Sequence, residues 1–527
     1  MATMWTPEMR HQRRWWTLVT LCLSLTVISI DNTILNVALP SIVESVGASQ
    51  SQLQWIIDSY TIVFACLLLT MGALGDRWGR RTLLTVGLVV FATCSALAAT
   101  AGSAPALILF RGLMGIGGAM IFPSTLSILT NTFEGPERAK AIGVWAGVSG
   151  LGVAIGPLAG GFLLDHFWWG SVFLINVPIC AAAVVLGRFL VPPSKSSEQG
   201  HGLDPVGAVL SIAALVGILY GVIEVPDKGW SDPSVLTALV VGLGFLAGFL
   251  WWETHTEDPM LDVRLFRNPR FSAASATITL NYFALFGSTF LIVQYFQFVL
   301  GYSPLKAGMM TAPVAIGLMS ASSVAHRFVR RFGTTRVVVA GLCTSATVLV
   351  LYGVEPLVSS VAGGMVIRAV FGFGMGLTVP PATESIMGAL PKERAGVGSA
   401  VNDTTRQTGG ALGVAVIGSV FAWRYQAGLG DMSGVPAGAA DAARDSIGKA
   451  LAAAQQLPAE QAARLVDLAD TAYFGAMRAG VWLGALVLAA TAWFAHRHLP
   501  STAATPDDDL ERRVAETELA SVDDGIL

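Results

Sequence analysis

Long apolar runs separated by short polar segments dominate the chain from residue 16 to residue 495. A membrane-spanning helix needs about 20 mostly apolar residues, and fourteen runs are of about that length or longer. They predict fourteen spans, numbered here in chain order: residues 16–38, 53–73, 82–102, 105–127, 141–163, 169–191, 206–226, 234–252, 272–298, 306–325, 336–354, 359–380, 398–421 and 472–495. The pattern therefore predicts an all-α integral membrane protein.

The composition agrees with this prediction and excludes other classes of protein. Of the 527 residues, 53% are hydrophobic and only 13% are charged, whereas soluble domains carry about 25% charged residues. A net charge of −3 argues against a generally basic nucleic-acid binder. The five cysteines lie inside apolar runs without a CxxC pair, so we expect neither disulfides nor a metal site.

The distribution of lysine and arginine orients the spans. With fourteen spans and both termini in the cytoplasm, 22 of the 32 basic residues lie in or beside cytoplasmic segments and seven lie in or beside external segments. The other three, Arg111, Arg368 and Arg406, are assigned to the spans. Short cytoplasmic loops are enriched in Lys and Arg, so this orientation in the cell membrane is favoured. The first apolar run is too long for a signal-peptide core and is expected to stay as span 1.

Two segments lie outside this regular pattern. Residues 422–471 are rich in Ala and polar residues, and the orientation places them on the external side. Residues 498–527 are predicted to form an acidic, disordered cytoplasmic tail.

An internal repeat divides the spans into halves. The arginine spacing of the loop from Arg77 recurs 250 positions later from Arg327, and the span 4 pattern Arg-x₃-Gly-x-Gly-x₅-Pro from Arg111 recurs 257 positions later from Arg368. The repeat predicts two six-helix halves, residues 1–192 and 271–497, with spans 7 and 8 inserted in the stretch 193–270. Repeats of this kind are common in transporters, whose substrate site lies where the halves meet.

Several motifs resemble those of a known family. Gly72–Arg81 resembles the signature between helices 2 and 3 of the major facilitator superfamily, and the glycines of Gly150–Gly161 are similar to the antiporter signature of its drug exporters. Asp31–Pro40, Phe173–Pro178 and Asp204–Leu210 are similar to motifs of its fourteen-span drug/proton antiporter branch. The resemblance implies a major facilitator fold and proton-coupled multidrug export by alternating access.

Three ionisable residues lie in the outer half of the predicted membrane: Asp31 in span 1, Asp58 in span 2 and Arg111 in span 4. A charge at the bilayer centre costs at least about 2.5–3.5 kcal/mol, so these groups are expected to face protein or water. Burial favours a protonated carboxyl and a nearby arginine favours the carboxylate, so the three could form a proton-coupling cluster. The alternative is a structural salt bridge.

The resemblance supports the functional interpretation of Arg111, because a helix 4 arginine is linked to proton coupling in the resembled exporters. Met114 departs from the helix 4 motif, which usually has Gln at that position.

A second group of polar and aromatic residues is a candidate substrate cavity. Asp403 and Arg406 in span 13 lie at i, i+3 and share a helix face, so Asp403 is either a cavity acid that attracts cationic drugs or the partner of Arg406. Arg368 occupies the position in the repeat that corresponds to Arg111, and its role is either functional, as part of the cavity, or structural. Aromatic and amide side chains could line a promiscuous apolar cavity or anchor span ends: Asn281, Tyr282 and Tyr295.

The loop after span 2 is a predicted conformational gate. Gly75 and Gly79 are expected to permit a tight turn, and Asp76 can pair with a neighbouring arginine such as Arg77 or Arg80 or cap the next helix. We interpret this loop as a latch that opens and closes during transport.

Span 5 carries a second candidate gate. Its glycines, including Gly156, allow a neighbouring helix to approach closely, and Pro157 removes a backbone hydrogen bond and permits a bend. Close packing alone would also explain the glycines.

The leading prediction is an exporter of amphipathic cationic or neutral drugs that acts as a monomer and uses the proton gradient without a cofactor. The alternative is an exporter of one lipid, precursor or self-made antibiotic on the same scaffold. An enzyme is disfavoured because the sequence has no GxxxxGK[ST], HExxH or GxSxG motif. Its expected partners are small-molecule drugs or dyes, protons and the lipid bilayer.

Overall fold

The computed structural model describes residues 7–133, 135–193, 204–257, 259–354, 360–389 and 395–499. Within these ranges the chain is helical and contains no strand. The predicted acidic tail lies outside the described residues apart from its first two positions.

Fourteen long helices occupy the described part of the chain, and each coincides with one predicted span. They are α1 (Pro7–Val46), α2 (Gln50–Trp78), α3 (Arg80–Ala99), α4 (Ala104–Thr132), α5 (Gly135–His166), α6 (Ser171–Leu190), α7 (Pro205–Lys228), α8 (Pro233–His255), α9 (Pro269–Val299), α10 (Pro304–Phe332), α11 (Thr334–Leu351), α12 (Val361–Met387), α13 (Ala395–Gly428) and α14 (Ala459–His498).

Eleven of these helices are long and apolar enough to cross a membrane, judged over the residues that the structure describes. The other three, α2, α5 and α13, have 29, 32 and 34 residues. At 1.5 Å per residue they exceed the roughly 30 Å hydrocarbon thickness. The all-helical membrane fold is therefore confirmed, and the full count of fourteen spans stays a prediction.

The outer surface of the bundle is apolar. Large hydrophobic side chains such as Val209, Val240, Val366 and Leu486 are more than 60% exposed. Soluble monomers rarely expose large apolar patches, whereas a bundle surrounded by lipid needs an apolar surface.

Local sequence explains how consecutive helices are separated. Ser49 caps α2 in a capping box, because its hydroxyl accepts from the Gln52 amide while the Gln52 side chain accepts from the Ser49 amide. Gly79, with φ +104°, separates α2 from α3, and Gly333, with φ +83°, separates α10 from α11. Other residues rarely adopt such angles, so the repeat places a glycine break between the second and third helices of each half.

The packing partners of the helices repeat between the two halves. In the first half α1 packs on α5, α2 on α4, and α3 on α4 and α6. In the second half α9 packs on α13, α10 on α12, and α11 on α12 and α14. The sequence repeat therefore corresponds to a repeated arrangement of six helices.

The inserted helices α7 and α8 form a hairpin beside the two halves. The two helices pack on each other, and α7 also contacts α2 and α13. Leu219 and Ile223 of α7 share a small apolar cluster with Ile62 of α2 and Ala415 of α13. The hairpin thus covers one seam where the first half meets the second.

The segment predicted to be external is mostly helical. It contains two short helices, Ala437–Asp445 and Ile447–Ala454, and the first thirteen residues of α14. The prediction placed the start of span 14 at residue 472, but the helix begins at Ala459. Alanine favours helix regardless of polarity, so the apolar run marks the membrane part of α14 and not its beginning.

Contacts between the halves occur where α1, α5, α9 and α13 end and where α2 and α10 begin. Gln297 Nε2 donates to the Val37 carbonyl at 2.9 Å, and Ser303 Oγ donates to the Asp165 carboxylate at 3.2 Å. This is the end predicted to face outside.

Three glycines show how tightly this end is closed. A Cβ on Gly308 of α10 would collide with the Pro157 carbonyl of α5, and one on Gly418 of α13 would collide with Gln54 of α2. Gly448, in the second short helix, fits in the same way against Val43 of α1 and Phe298 of α9. The two halves are therefore in contact at the predicted external end.

Candidate functional site

A buried ion pair lies inside the first half. Arg111 Nη1 of α4 donates to Asp31 Oδ2 of α1 at 2.6 Å, and the two side chains are 2% and 1% exposed. Two of the three predicted proton-coupling residues are thus brought together by helices that are distant in sequence.

The ion pair is held by groups from three further helices. Arg111 Nε donates to the Ile56 carbonyl of α2 at 3.1 Å, and the guanidinium lies 4.4 Å from the centre of the Tyr60 ring. Asn176 Nδ2 of α6 donates to Asp31 Oδ1 at 3.3 Å and to Ser95 Oγ of α3 at 3.1 Å. Five of the six helices in this half therefore contribute to the site.

Sequence reasoning did not assign site roles to Asn176, Ser95 or Tyr60. Asn176 lies in the Phe173–Pro178 motif, so its position signalled the family and not the contact. Ser95 and Tyr60 carry no such signal, because only packing brings α2 and α3 against α4.

Protonation of Asp31 would change the forces in this site. A neutral carboxyl no longer attracts Arg111, and a buried cation without its partner is strongly destabilising. A proton arriving at Asp31 therefore favours a rearrangement of α1 against α4, which is the property that a coupling site requires.

Asp58 does not join this ion pair. It is fully buried, and neither of its carboxylate oxygens has a hydrogen-bond partner in the described part of the chain. Consecutive residues of a helix are about 100° apart around its axis. Asp58 and Tyr60 are two residues apart, so Asp58 points away from the α4 side of α2, where Tyr60 meets Arg111. The predicted three-residue cluster is thus a pair plus a separate acid.

The face of α2 that carries Asp58 looks towards the second half. Gln54, four residues earlier, lies against Gly418 of α13, and Ile62, four residues later, belongs to the apolar cluster with Ala415. Residues four apart share a helix face, so Asp58 lies on the seam between α2 and α13. An unpartnered buried carboxyl is far less costly when neutral, and this closed seam favours its protonated form.

Among its described residues, the second half has no equivalent of the Asp31–Arg111 pair. Arg368 of α12 is also buried, but its guanidinium lies over the Phe296 ring at 5.1 Å, and its Nε and Nη1 atoms have no hydrogen-bond partner among the described residues. The α9 sequence contains no Asp or Glu. The repeat is therefore symmetric in helix packing and asymmetric in charge.

The predicted pair in span 13 forms at the expected spacing. Arg406 Nη1 lies 3.4 Å from Asp403 Oδ1, with the side chains 36% and 13% exposed, and the Arg406 guanidinium lies 4.8 Å from the Tyr282 ring centre. This pair is more accessible than Asp31–Arg111. The geometry fits both interpretations of Asp403, so its role stays a prediction.

The other three predicted cavity residues are buried in α9. Asn281 is 1% exposed, and neither amide atom has a hydrogen-bond partner in the described ranges. Tyr282 stacks on Phe286, and Tyr295 packs on Tyr473 of α14. Tyr295 begins the short π-helical segment at the end of α9 and is buried, so this conformation gives it no open surface towards a substrate.

The loop after span 2 makes its described contacts within the first half. Gly75 lies inside α2, so the prediction that it forms part of a tight turn is wrong. The helix is interrupted at Gly79 alone. Arg80 Nη1 donates to the Ser127 carbonyl of α4 at 3.2 Å, and Arg77 is exposed. The side chain of Asp76 lies outside the described residues, so its predicted pairing stays a prediction.

Gly156 and Pro157 occupy a crossing of three helices. A Cβ on Gly156 would collide with Thr33 Oγ1 of α1, while the Pro157 carbonyl lies against Gly308 of α10. Thr33 Oγ1 also donates to the Gly152 carbonyl at 3.2 Å. This part of α5 therefore contacts both halves, as a gate would.

In the ranges that the structure covers, no group of three or more His, Cys, Asp or Glu could hold a metal ion.

A repeated bundle of long apolar helices with a buried ion pair is typical of a multi-pass membrane transporter. The model of the Major Facilitator Superfamily matches residues 21–414. The chain belongs to this family.

Its curated relatives include efflux and resistance proteins. The multidrug efflux pump LfrA of Mycolicibacterium smegmatis is 38% identical over 91% of this chain and 95% of its own length. The methyl viologen resistance protein SmvA of Salmonella typhimurium is 35% identical, covering 92% and 98%. The tetracenomycin C resistance and export protein of Streptomyces glaucescens is 33% identical, covering 78% and 77%. The predicted family is confirmed, and these relatives support the prediction of efflux transport.

Solved structures agree with the fold. A bacterial homologue of the human lysosomal transporter Spinster aligns with a TM-score of 0.66 at 18% identity, over 92% of this chain and 98% of that one. A peptide transporter aligns with a TM-score of 0.60 at 14% identity, over 92% and 95%.

Proposed function

We propose that this protein is a proton-coupled exporter that moves amphipathic cationic or neutral compounds out of the cell by alternating access. The buried Asp31–Arg111 pair is the observation that carries the proposal, because a proton on Asp31 would leave Arg111 as a buried cation without its ionic partner. The energy source is the proton gradient alone. The protein acts as a monomer in the cell membrane and needs no cofactor.

The two buried acids suggest a sequence of events. With the external end closed, Asp31 is paired with Arg111, while Asp58 is neutral at the seam. Loss of the Asp58 proton would place a bare charge between α2 and α13 and favour opening of that seam to water. A proton from outside would then neutralise Asp58 and favour the return to the closed state.

Substrate recognition is assigned to the more accessible charges on α13. Asp403 is positioned to attract a cation, and Arg406 lies over Tyr282 on the facing helix. A cationic drug that pairs with Asp403 would displace Arg406 and take its place over the aromatic ring, since such rings attract cations. Neutral compounds would rely on the apolar surroundings.

Asp403→Asn is expected to weaken export of cationic substrates by at least about tenfold while neutral substrates change little, because a carboxylate attracts cations strongly in a low-dielectric site. Export of a cationic dye and of a neutral compound is compared in everted vesicles at matched expression. A uniform fall in yield and in all substrates, rescued by adding Arg406→Gln, would instead identify a structural ion pair.

The orientation predicts opposite labelling of two exposed positions. In a variant with all five cysteines replaced by serine, Asp441→Cys should react with an impermeant maleimide added to intact cells. Arg77→Cys should react only after the membrane is permeabilised. The two positions lie at opposite ends of the helices, so the reverse pattern would exclude the proposed topology with both termini in the cytoplasm.

The proposal as a whole is tested by drug-susceptibility and dye-efflux panels in cells with and without the gene. We expect the gene to raise resistance to several unrelated amphipathic compounds and to drive dye efflux that a protonophore stops. Protection against a single compound, with no dye efflux, would favour a dedicated exporter.

A further inference from the structure

The inserted hairpin carries two buried carboxylates at the end predicted to face the cytoplasm. Asp204 immediately precedes α7, and Glu253 lies in the last turn of α8. Their side chains belong to residues only 5% and 3% exposed. Neither residue takes part in the buried Asp31–Arg111 site or in the seam that contains Asp58.

Each carboxylate uses only one of its oxygens. Asp204 Oδ1 accepts from the Gly207 amide at 2.7 Å and from Trp252 Nε1 at 2.9 Å. Glu253 Oε2 accepts from the Leu261 amide at 2.9 Å. The remaining oxygens, Asp204 Oδ2 and Glu253 Oε1, have no hydrogen-bond partner within the described chain, and no described Lys or Arg forms an ion pair with either residue.

The two unused oxygens converge on one point. Both lie less than 3.0 Å from the position that a Cβ on Gly207 would take, so the absent side chain of Gly207 leaves room for them. Among the described residues, the charge of a second acid, Asp262, also acts on Glu253. Two like charges sharing a buried site cannot both ionise without a large cost.

We propose that Asp204 and Glu253 form a proton-binding site in which one carboxyl donates its O–H to the other carboxylate. The bound proton comes from the cytoplasmic side. It satisfies both unused oxygens with one hydrogen bond and removes one of the two negative charges.

The site links the hairpin to the second half. Glu253 holds the Leu261 amide, and the neighbouring Met260 sulfur accepts from Thr70 Oγ1 of α2 at 3.2 Å. Residues 259–268 then lead into α9. Loss of the shared proton would push Glu253 away from Asp204 and weaken its hold on this connector, so the site makes the connector sensitive to cytoplasmic proton concentration.

Infrared spectroscopy of the purified full chain in lipid tests the site directly. At about pH 7 an ordinary glutamate, with a pKa of about 4.3, shows no protonated carboxyl band. Besides the band that neutral Asp58 contributes, we expect the wild-type spectrum to contain a second protonated carboxyl band that both Glu253→Gln and Asp204→Asn remove. Glu224→Gln is the control, because Glu224 lies on the same hairpin and pairs with Lys228 at 3.2 Å.

Two results would overturn the proposal. The first is that Glu253→Gln and Asp204→Asn, folded with normal melting behaviour, leave the protonated band unchanged. The second is that excess Na⁺ removes the band from the wild type, which would identify a metal-ion site. Asn keeps the capping role of Asp204 at α7, so that variant is expected to fold.

Hydrogen exchange at the Leu261 amide gives an independent measurement. After correction for intrinsic exchange, we expect wild-type protection to fall at least about tenfold when the pair is deprotonated at alkaline pH, the effect of losing a hydrogen bond to a charged group. Glu253→Gln keeps an amide oxygen for Leu261 and should keep its protection at every pH. Equal pH dependence in the wild type and in this variant would contradict the proposal.

Discussion

Asp31→Asn is expected to abolish gradient-driven efflux. The amide cannot bind or release a proton, so the step that couples the gradient to α1 and α4 is lost. One charge moving across 100 mV supplies roughly 2.3 kcal/mol, and each 1.4 kcal/mol changes a concentration ratio about tenfold. The ratio to which the substrate can be accumulated should therefore fall by about 50-fold. Dye transport into everted vesicles, at matched protein levels, measures this change.

The same substitution leaves Arg111 as a buried cation without its ion partner, which typically costs about 3–5 kcal/mol. Asp31→Asn combined with Arg111→Gln removes both charges and should recover thermal stability without recovering efflux. That double variant separates coupling from folding. Normal dye efflux by well-expressed Asp31→Asn would exclude Asp31 as an essential coupling group.

Asp58→Asn is expected to trap the protein with its external end closed. The amide stays neutral, so the seam between α2 and α13 keeps its packing and loses the charge that favours opening. We expect efflux to fall at least about tenfold while melting temperature is unchanged or higher, since burying a neutral group costs much less than burying a charge.

Accessibility of Gln54→Cys provides a readout for this trapping. Gln54 is buried against Gly418 in the closed seam, so an impermeant maleimide should label it only when the seam opens. Labelling should decrease in the Asp58→Asn background. The matched control is Glu44→Gln, which changes an exposed acid near the end of α1 that is predicted to face outside. This variant should behave as wild type. Unchanged labelling and efflux in Asp58→Asn would refute the role of Asp58.

The architecture was predictable because lipid imposes a strong rule on sequence. A spanning helix must be apolar over about 20 residues, so each apolar run overlaps one long helix, although helices such as α1 extend well beyond their runs. The spacing from Arg111 and from Arg368 then revealed the repeat. The start of α14 at Ala459 was not predictable from hydrophobicity, because its first turns are helical without being apolar.

The candidate site was predictable in part. The ionic partners Asp31 and Arg111 stood out because charges in a membrane are costly. Asn176, Ser95 and Tyr60 did not, since only the packing of α2, α3 and α6 around Arg111 brings them there. Depth along the chain placed Asp58 beside the pair, but the helix rotation that turns it to the seam needs the fold.

The most direct test of proton coupling uses purified protein in liposomes that contain a pH-sensitive dye and no imposed gradient. Adding a transported cation to one side should move protons in the opposite direction, and the pH change should be absent with Asp31→Asn. The account predicts proton movement that scales with substrate transport. If the wild-type protein moved its substrate without any pH change, the account would be contradicted.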